Sequence, residues 1–305
     1  MIERKIKKPV ICSEYINIYK PQPDIYKGVN TENFVSGEKY DEWITNDFTV
    51  IHENGIWHIF GITHPKPKGF VSAFEYDKDV HEAEYQLFHC TAKGKSFSDV
   101  FKREAFKDEN KILYPQDRPG ERKDIWAPHI DRIDDEYCMI YSPEVMRYAK
   151  SKDLITWENG YELFKCNDGG ARDPFLFHDD NGDKYLLFCE QNVLKYRKTR
   201  DMINWSEEVL LQTNPFSKGA SESPFMLKRD GMYYLMWCIY DTRNGCYDNR
   251  TYVFASETID GFEGLAPITM LEGHAPEFVV DGDDTYILSA FYPENGISAA
   301  KIEWK

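Results

Sequence analysis

The sequence lacks any long apolar run. No window approaches the roughly 18 apolar residues that a membrane-spanning helix needs, and the basic N-terminus never reaches an apolar stretch of about seven residues. Neither a membrane span nor a secretory signal is therefore expected. Basic residues are also outnumbered, with 37 Lys and Arg against 52 Asp and Glu and a net charge of −15. Nucleic acid and anionic membrane surfaces would be repelled, so we expect neither as a partner.

Cysteine pairs of the C-x-x-C type are absent, although the chain has seven cysteines. Several of these cysteines lie in or beside apolar runs such as 137–141. This scatter predicts reduced, buried thiols rather than disulfides or a zinc site. Together with the missing signal, it predicts a cytoplasmic protein.

Sustained helical periodicity is absent too, because amphipathic spacing never persists for more than about two turns. Aromatic residues, in contrast, make up 15% of the chain. Aromatic side chains favour strands, and their flat faces suit sugar-like ligands. At 305 residues, the chain is long enough for two ordinary domains or for one large all-β domain.

An internal repeat decides between these alternatives. Five segments share a polar residue, a short apolar strand, a tight turn and an aromatic-rich strand: NDFTVIHENGIWHIFGI from Asn46, WAPHIDRIDDEYCMIYS from Trp126, RDPFLFHDDNGDKYLLF from Arg172, ESPFMLKRDGMYYLMWC from Glu222 and HAPEFVVDGDDTYILSAFY from His274. The last four carry a proline at the same place, and the first has Phe48 there. The prolines are 46 to 52 residues apart, whereas the first step spans 80 residues and must hold an insertion.

Each segment also contains turn residues that tolerate positive φ, namely Asn54-Gly55, Asp134-Asp135, Asn181-Gly182, Asp230-Gly231 and Asp281-Gly282. These residues predict two-residue hairpins, and a third strand follows in most units. A β-sandwich would not be expected to repeat the proline, turn and tryptophan positions together. We therefore predict an all-β, single-domain, five-bladed β-propeller over residues 41–305, with residues 1–40 as an N-terminal arm that packs on it.

The innermost strand of each blade should run along the central channel, so residues near the shared proline should form a ring around one mouth. The ring positions are Asp47, Trp126 with His129 beside it, Asp173, Glu222 and His274. Three of the five blades thus place a carboxylate there. Converging like charges are unfavourable, which indicates catalysis or a bound cation.

These motifs resemble those of the five-bladed β-propeller glycosidases, above all glycoside hydrolase family 43 (arabinanases, arabinofuranosidases and xylosidases). W-A-P at 126–128 and G-H-A-P at 273–276 are similar to family 43 motifs. W-x-x-N-D at 43–47 and R-D-P at 172–174 are also similar to motifs of family 32, which belongs with family 68 to the same clan. The resemblance implies three cooperating acids, Asp47, Asp173 and Glu222, although Ser223 and Phe48 depart from the usual Gly or Cys and Pro.

Cleavage of a glycosidic bond needs one protonated carboxyl group for the leaving oxygen and one ionised carboxylate on the opposite face of the sugar. We expect Glu222 to be the general acid, with its pKa raised by Asp173, and Asp47 to be the general base of an inverting enzyme. Direct attack by Asp47, as in a retaining family 32-like β-fructosidase, is one alternative. A propeller that binds carbohydrate without cleaving it is another.

The substrate is expected to be an arabinose- or xylose-containing oligosaccharide, and the resemblance implies no required cofactor. Seven further residues are predicted to bind it: Trp43, Asn46, Trp126, His129, Arg172, Arg243 and His274. Trp43 and Trp126 would stack on a sugar ring. His274 resembles the family 43 histidine near the propeller axis that contacts calcium or another ion. The sequence leaves the sugar, its anomer, exo or endo action and the oligomeric state open.

Overall fold

The structure is a computed structural model that describes residues 6–22, 42–66, 84–143, 145–165, 170–216, 219–241 and 246–305. Within these residues the chain forms five antiparallel sheets of four or five strands each. The innermost strands of successive sheets contact one another, and the innermost strand of the last sheet contacts that of the first. This closed ring of sheets confirms the five-bladed propeller.

The first three blades are built from four strands each. Blade 1 contains β3 (Trp43–Glu53), β4 (Ile56–Pro65), β5 (Gln86–Lys93) and β6 (Lys107–Asp108). Blade 2 contains β7 (Trp126–Ile133), β8 (Glu136–Ser142), β9 (Val145–Ser151) and β10 (Glu158–Lys165). Blade 3 contains β11 (Arg172–His178), β12 (Lys184–Glu190), β13 (Val193–Thr199) and β14 (Val209–Thr213).

The last two blades each carry additional strands. Blade 4 contains β15 (Ala220–Arg229), β16 (Met232–Asp241), β18 (Arg250–Ser256) and β19 (Thr269–Glu272), with the short β17 (Cys246–Tyr247) paired to β16. Blade 5 contains β20 (His274–Asp281), β21 (Asp284–Ala290) and β22 (Ile297–Trp304). β1 (Pro9–Ile11) and β2 (Ile16–Tyr19), from the N-terminal segment, both pair with β22. The only helices among the described residues are α1 (Phe97–Val100) and a 3₁₀ turn at Pro115–Asp117.

Aromatic and branched side chains fill the spaces between neighbouring blades, as the composition suggests. Trp237 of blade 4 is fully buried, stacks on Phe254 at 5.5 Å between ring centroids and donates a hydrogen bond to Gln212 of blade 3 (2.8 Å). The six described cysteines are all free, and four of them are buried. No helix of the described part of the chain is long and apolar enough to cross a membrane.

The turns follow the sequence prediction in three blades and differ in two. Two residues connect the paired positions Glu53 and Ile56, Ile133 and Glu136, and Arg229 and Met232. In blade 3, however, His178 pairs with Lys184, so the loop has five residues rather than two. Within this loop, Asp183 forms ion pairs with Lys198 and Arg200 of the next hairpin. In blade 5 the turn is shifted by one residue, to 282–283.

Every innermost strand breaks its register at the same place, around the shared proline or, in blade 1, before Phe48. The residue before the proline has a left-handed φ in four blades: Ala127 (44°), Asp173 (57°), Ser223 (49°) and Ala275 (47°). These features define a β-bulge, which accommodates the missing N–H of proline and re-aims nearby side chains. Two consecutive residues of one strand, such as Arg172 and Asp173, can therefore reach the same cavity.

Candidate active site

The bulges of blades 1 to 4 surround a cavity of about 540 Å³. Asp47, Asp173 and Glu222, which come from three different blades, all line it. Asn46, Trp126 and Arg172 line it as well, so six of the ten residues predicted from the sequence meet in one cavity. The repeat brings together residues as far apart in the chain as Asn46 and Glu222.

Arg172 lies between two of the acids. Its Nε is 3.4 Å from Oε1 of Glu222 and 3.8 Å from Oδ2 of Asp173, and its Nη2 donates a hydrogen bond to the carbonyl of Ser221 (2.8 Å). Burial lowers the pKa of Arg172, but the charges of Glu222 and Asp173 outweigh it and leave the pKa above its usual value. The arginine is thus a fixed cation that offsets the repulsion between the two carboxylates.

The surroundings of Asp47 oppose its ionisation. Burial and the charge of Asp173 raise its pKa to about 8. A hydrogen bond from the Ser223 hydroxyl to Oδ1 of Asp47 (2.5 Å) acts in the opposite direction. The charge of Asp173 therefore raises the pKa of Asp47, whereas the sequence predicted that it would raise the pKa of Glu222.

Asn46 and Trp126 present groups that could contact a ligand. Nδ2 of Asn46 donates a hydrogen bond to the hydroxyl of Tyr247 (3.1 Å). Its Oδ1 is buried and has no hydrogen-bond partner among the described residues. Trp126 is half-buried at the cavity wall. One side of the cavity thus offers a hydrogen-bond acceptor and an aromatic ring.

Three residues predicted to bind substrate do not line the cavity. Trp43 has only 2% of its surface exposed, because it precedes the bulge of β3 and packs inside the blade. His129 follows the proline of its bulge and packs against the ring of Phe175 at 4.7 Å. The structure thus places neither Trp43 nor His129 in the wall of this cavity, and their contacts with substrate stay predictions.

His274 occupies the same repeat position as Trp126, Arg172 and Glu222, yet it is completely buried. The ring of Tyr247 lies 4.4 Å away and covers it, and Tyr247 itself lines the cavity. His274 therefore lies behind Tyr247 rather than in the cavity wall, and its contact with substrate stays a prediction. The fourth residue missing from the cavity, Arg243, lies outside the described residues.

The comparison with known proteins agrees with this architecture. The sequence model described as Glycosyl hydrolases family 43 matches residues 102–263, more than half of the chain. The chain belongs to glycoside hydrolase family 43. This family 43 protein is accordingly a glycoside hydrolase. The search of curated proteins finds no match.

Solved structures similar to this family 43 protein share its fold at low sequence identity. A thermostable family-43 glycoside hydrolase is 16% identical, with a TM-score of 0.62 over 86% of this chain and 89% of that chain. An endo-arabinase from Bacteroides thetaiotaomicron VPI-5482 is 14% identical, with a TM-score of 0.61 over 86% and 95%. An exo-1,5-alpha-L-arabinanase from a bovine ruminal metagenomic library is 16% identical, with a TM-score of 0.59 over 86% and 93%.

The described residues around His274 do not provide the ligands that a calcium ion needs. Calcium prefers six to eight oxygen ligands. His274 instead lies between the rings of Tyr247 and Phe291, and its Nδ1 is 3.0 Å from the carbonyl oxygen of Asp248. Nowhere in the described part of the chain do three His, Cys, Asp or Glu side chains form a group that could hold a metal ion. These residues therefore do not fit a calcium ion.

Several cavity residues of this family 43 protein were not identified from the sequence: Glu84, Gln191, Asn192, Tyr240 and Tyr247. Glu84 comes from the insertion of blade 1, and Tyr247 comes from β17, which has no counterpart in the described part of the other blades. Gln191 and Asn192 form the turn between β12 and β13. None occupies a repeated ring position, so the repeat carried no signal for them.

Two further residues could have been found from the repeat itself. Ser223 takes the position of Asp173 one blade later, directly before the shared proline. Glu277 follows Pro276 and lines a narrow cavity of about 20 Å³ together with Asp47, Asp173 and Ser223. Burial and the charge of Asp47 raise the pKa of Glu277 well above its usual value, and no described residue forms a hydrogen bond or ion pair with its side chain.

Proposed function

We propose that this protein hydrolyses glycosidic bonds of arabinose- or xylose-containing oligosaccharides with inversion at the anomeric carbon. The observation that carries the proposal is the meeting of Asp47, Asp173 and Glu222, from three blades, in one cavity. The solved structures with similar folds include arabinanases, an alpha-L-arabinofuranosidase and a beta-xylosidase, which supports pentose sugars as the substrate class.

In the proposed reaction, Glu222 donates a proton to the glycosidic oxygen as the bond to the anomeric carbon breaks. A water molecule attacks the opposite face of that carbon, and Asp47 accepts the proton that the water loses. The glycosidic C–O bond is thus replaced by a bond between the anomeric carbon and the water oxygen. At the end Glu222 has lost its proton and Asp47 has gained one. Proton exchange with solvent then restores the starting state.

Asp173 and Arg172 are assigned supporting roles in this proposal. Asp173 is the charged neighbour that modulates the pKa of the reacting acids, and its charge raises that of Asp47. Arg172, 3.4 Å from Oε1 of Glu222, holds that side chain in position. Trp126 would stack on the sugar ring, and Oδ1 of Asn46 would accept a hydrogen bond from a sugar hydroxyl.

The electrostatics place one requirement on this reaction. Asp47 must be ionised to accept a proton, yet its pKa is raised to about 8. The pH profile of the activity should therefore contain an ionisation near pH 8. The positive charge that develops on the sugar in the transition state is expected to favour the ionised form of Asp47 further.

The test is a panel of nitrophenyl arabinofuranosides, xylosides and galactosides together with sucrose. We expect hydrolysis of a pentoside, and Asp47→Asn and Glu222→Gln should each reduce kcat by at least about 100-fold. Asp135→Asn and Glu257→Gln change exposed acids in the same way and should leave the rates unchanged. Release of glucose from sucrose alone would indicate the retaining fructosidase, and full activity in both cavity variants would refute the assignment.

The stereochemical part of the proposal has a separate test. Proton NMR of the reaction shows which anomer of the released sugar forms first. Inversion predicts that its configuration is opposite to that of the substrate, whereas initial retention would identify Asp47 as a nucleophile.

A further inference from the structure

Ser223 lies between two of the three acids and contacts both. Its hydroxyl donates a hydrogen bond to Oδ1 of Asp47 (2.5 Å), and its backbone N–H donates one to Oδ2 of Asp173 (3.0 Å). The three residues come from blades 4, 1 and 3, and all three also line the narrow cavity that adjoins the active site. One residue therefore fixes the relative position of two carboxyl groups from different blades.

The backbone explains how Ser223 reaches both acids. Its φ of 49° lies in the left-handed region, and it is the bulge residue before Pro224. This conformation favours glycine over any residue with a side chain. The strand could therefore form the same bulge more easily with glycine at position 223, but only a side chain with a donor can reach Asp47.

The chemistry of the contact favours one protonation state of Asp47. A carboxylate accepts hydrogen bonds, and a hydroxyl that donates to it stabilises the ionised form. Burial and the negative charge of Asp173 act in the opposite sense on the same group. The hydrogen bond from the Ser223 hydroxyl to Oδ1 therefore opposes the rise in the pKa of Asp47. Oδ2 is then the oxygen that accepts the proton.

We propose that Ser223 is a positioning residue of the hydrolytic reaction, which orients Asp47 through its hydroxyl and supports the ionised carboxylate that accepts the proton from water. The inference rests on the proposed function, because it assigns the role of general base to Asp47. It goes beyond that function by giving this position a task that glycine could not perform.

The kinetic test compares Ser223→Ala with Ser223→Gly. Both remove the hydroxyl, whereas only glycine relieves the left-handed backbone, so a shared effect belongs to the hydrogen bond. Loss of a hydrogen bond to a charged group predicts a fall in kcat of about tenfold or more with little change in KM. The ionisation near pH 8 in the profile of kcat/KM should also move to higher pH in both variants. A kcat and a pH profile equal to those of the unmodified protein would overturn the proposal.

A second test does not depend on activity. Urea unfolding at pH 9 is measured for Ser223→Ala, Asp47→Ala and the double variant, which together form a double-mutant cycle. We expect Ser223→Ala to lower the unfolding midpoint clearly in the presence of Asp47 and by less than half as much in its absence. Additive effects would mean that the two side chains do not interact, and would overturn the proposal.

The two tests also separate this inference from the proposed function. Hydrolysis by the unmodified protein with unchanged Ser223 variants would contradict the role of Ser223 alone. Absence of hydrolysis on every glycoside of the panel, despite coupling in the cycle, would overturn both the proposed function and the role of Ser223 in it.

Discussion

Replacing Asp47 with asparagine should make the stability of the protein less dependent on pH. The pKa of Asp47 is raised from 3.8 to about 8 in the folded protein. The folded state therefore holds this proton more tightly than the unfolded state, and the resulting stabilisation, present in full below about pH 4, is lost as pH rises toward 8. The amide of the Asp47→Asn variant carries no such proton, so the variant should lack this loss.

The size of the effect follows from the shift. Each unit of pKa difference corresponds to about 1.4 kcal/mol, so Asp47→Asn should gain a few kcal/mol relative to the unmodified protein between pH 4 and pH 8. The free energy of unfolding is measured by urea titration at intervals across this range. Asp135→Asn, in an exposed turn, is the matched control and should show a constant difference. A constant difference for Asp47→Asn as well would refute the electrostatic account of the site.

The other predictions concern pH, stability and binding. On the best pentoside, the pH profile of kcat/KM should contain an ionisation near pH 8 that belongs to Asp47, and a profile without any ionisation between about pH 7 and pH 9 would contradict its raised pKa. Glu277→Gln should raise the melting temperature at pH 9 but not at pH 4, because the raised pKa of Glu277 makes its ionisation unfavourable; equal gains at both would argue against this. Trp126→Ala should raise KM about tenfold through lost stacking, and an unchanged KM would exclude stacking.

Most of the fold could be predicted from the sequence repeat, because each blade has similar residues at the same position. The shared proline marks the bulge in four blades, and the residues just before it line the cavity in three of them. Three acids spread over 175 residues of the sequence, Asp47, Asp173 and Glu222, could thus be assigned to one site. The turns were less predictable because a turn motif does not show which contacts its residues make elsewhere. In the blade 3 loop, Asp183 forms ion pairs with residues of the next hairpin.

The individual binding residues were harder to predict because a bulge changes which side chains face the cavity. Trp43 lies before the bulge of β3, and His129 lies after the bulge of β7. Both side chains are buried in packing contacts. His274 has the right position in the repeat, but Tyr247 covers it. Tyr247 comes from β17, and no other blade contains such a strand among its described residues, so the repeat could not predict that Tyr247 covers His274.

The central claim, that Glu222 protonates the leaving group of a pentoside, is tested most directly by varying that leaving group. For Glu222→Gln, we expect kcat/KM to fall at least about 100-fold more on an alkyl pentoside than on a dinitrophenyl pentoside, whose leaving group needs no proton. Glu257→Gln, an exposed control, should show no such difference. Equal losses on both substrates would contradict the assignment of Glu222 as the general acid.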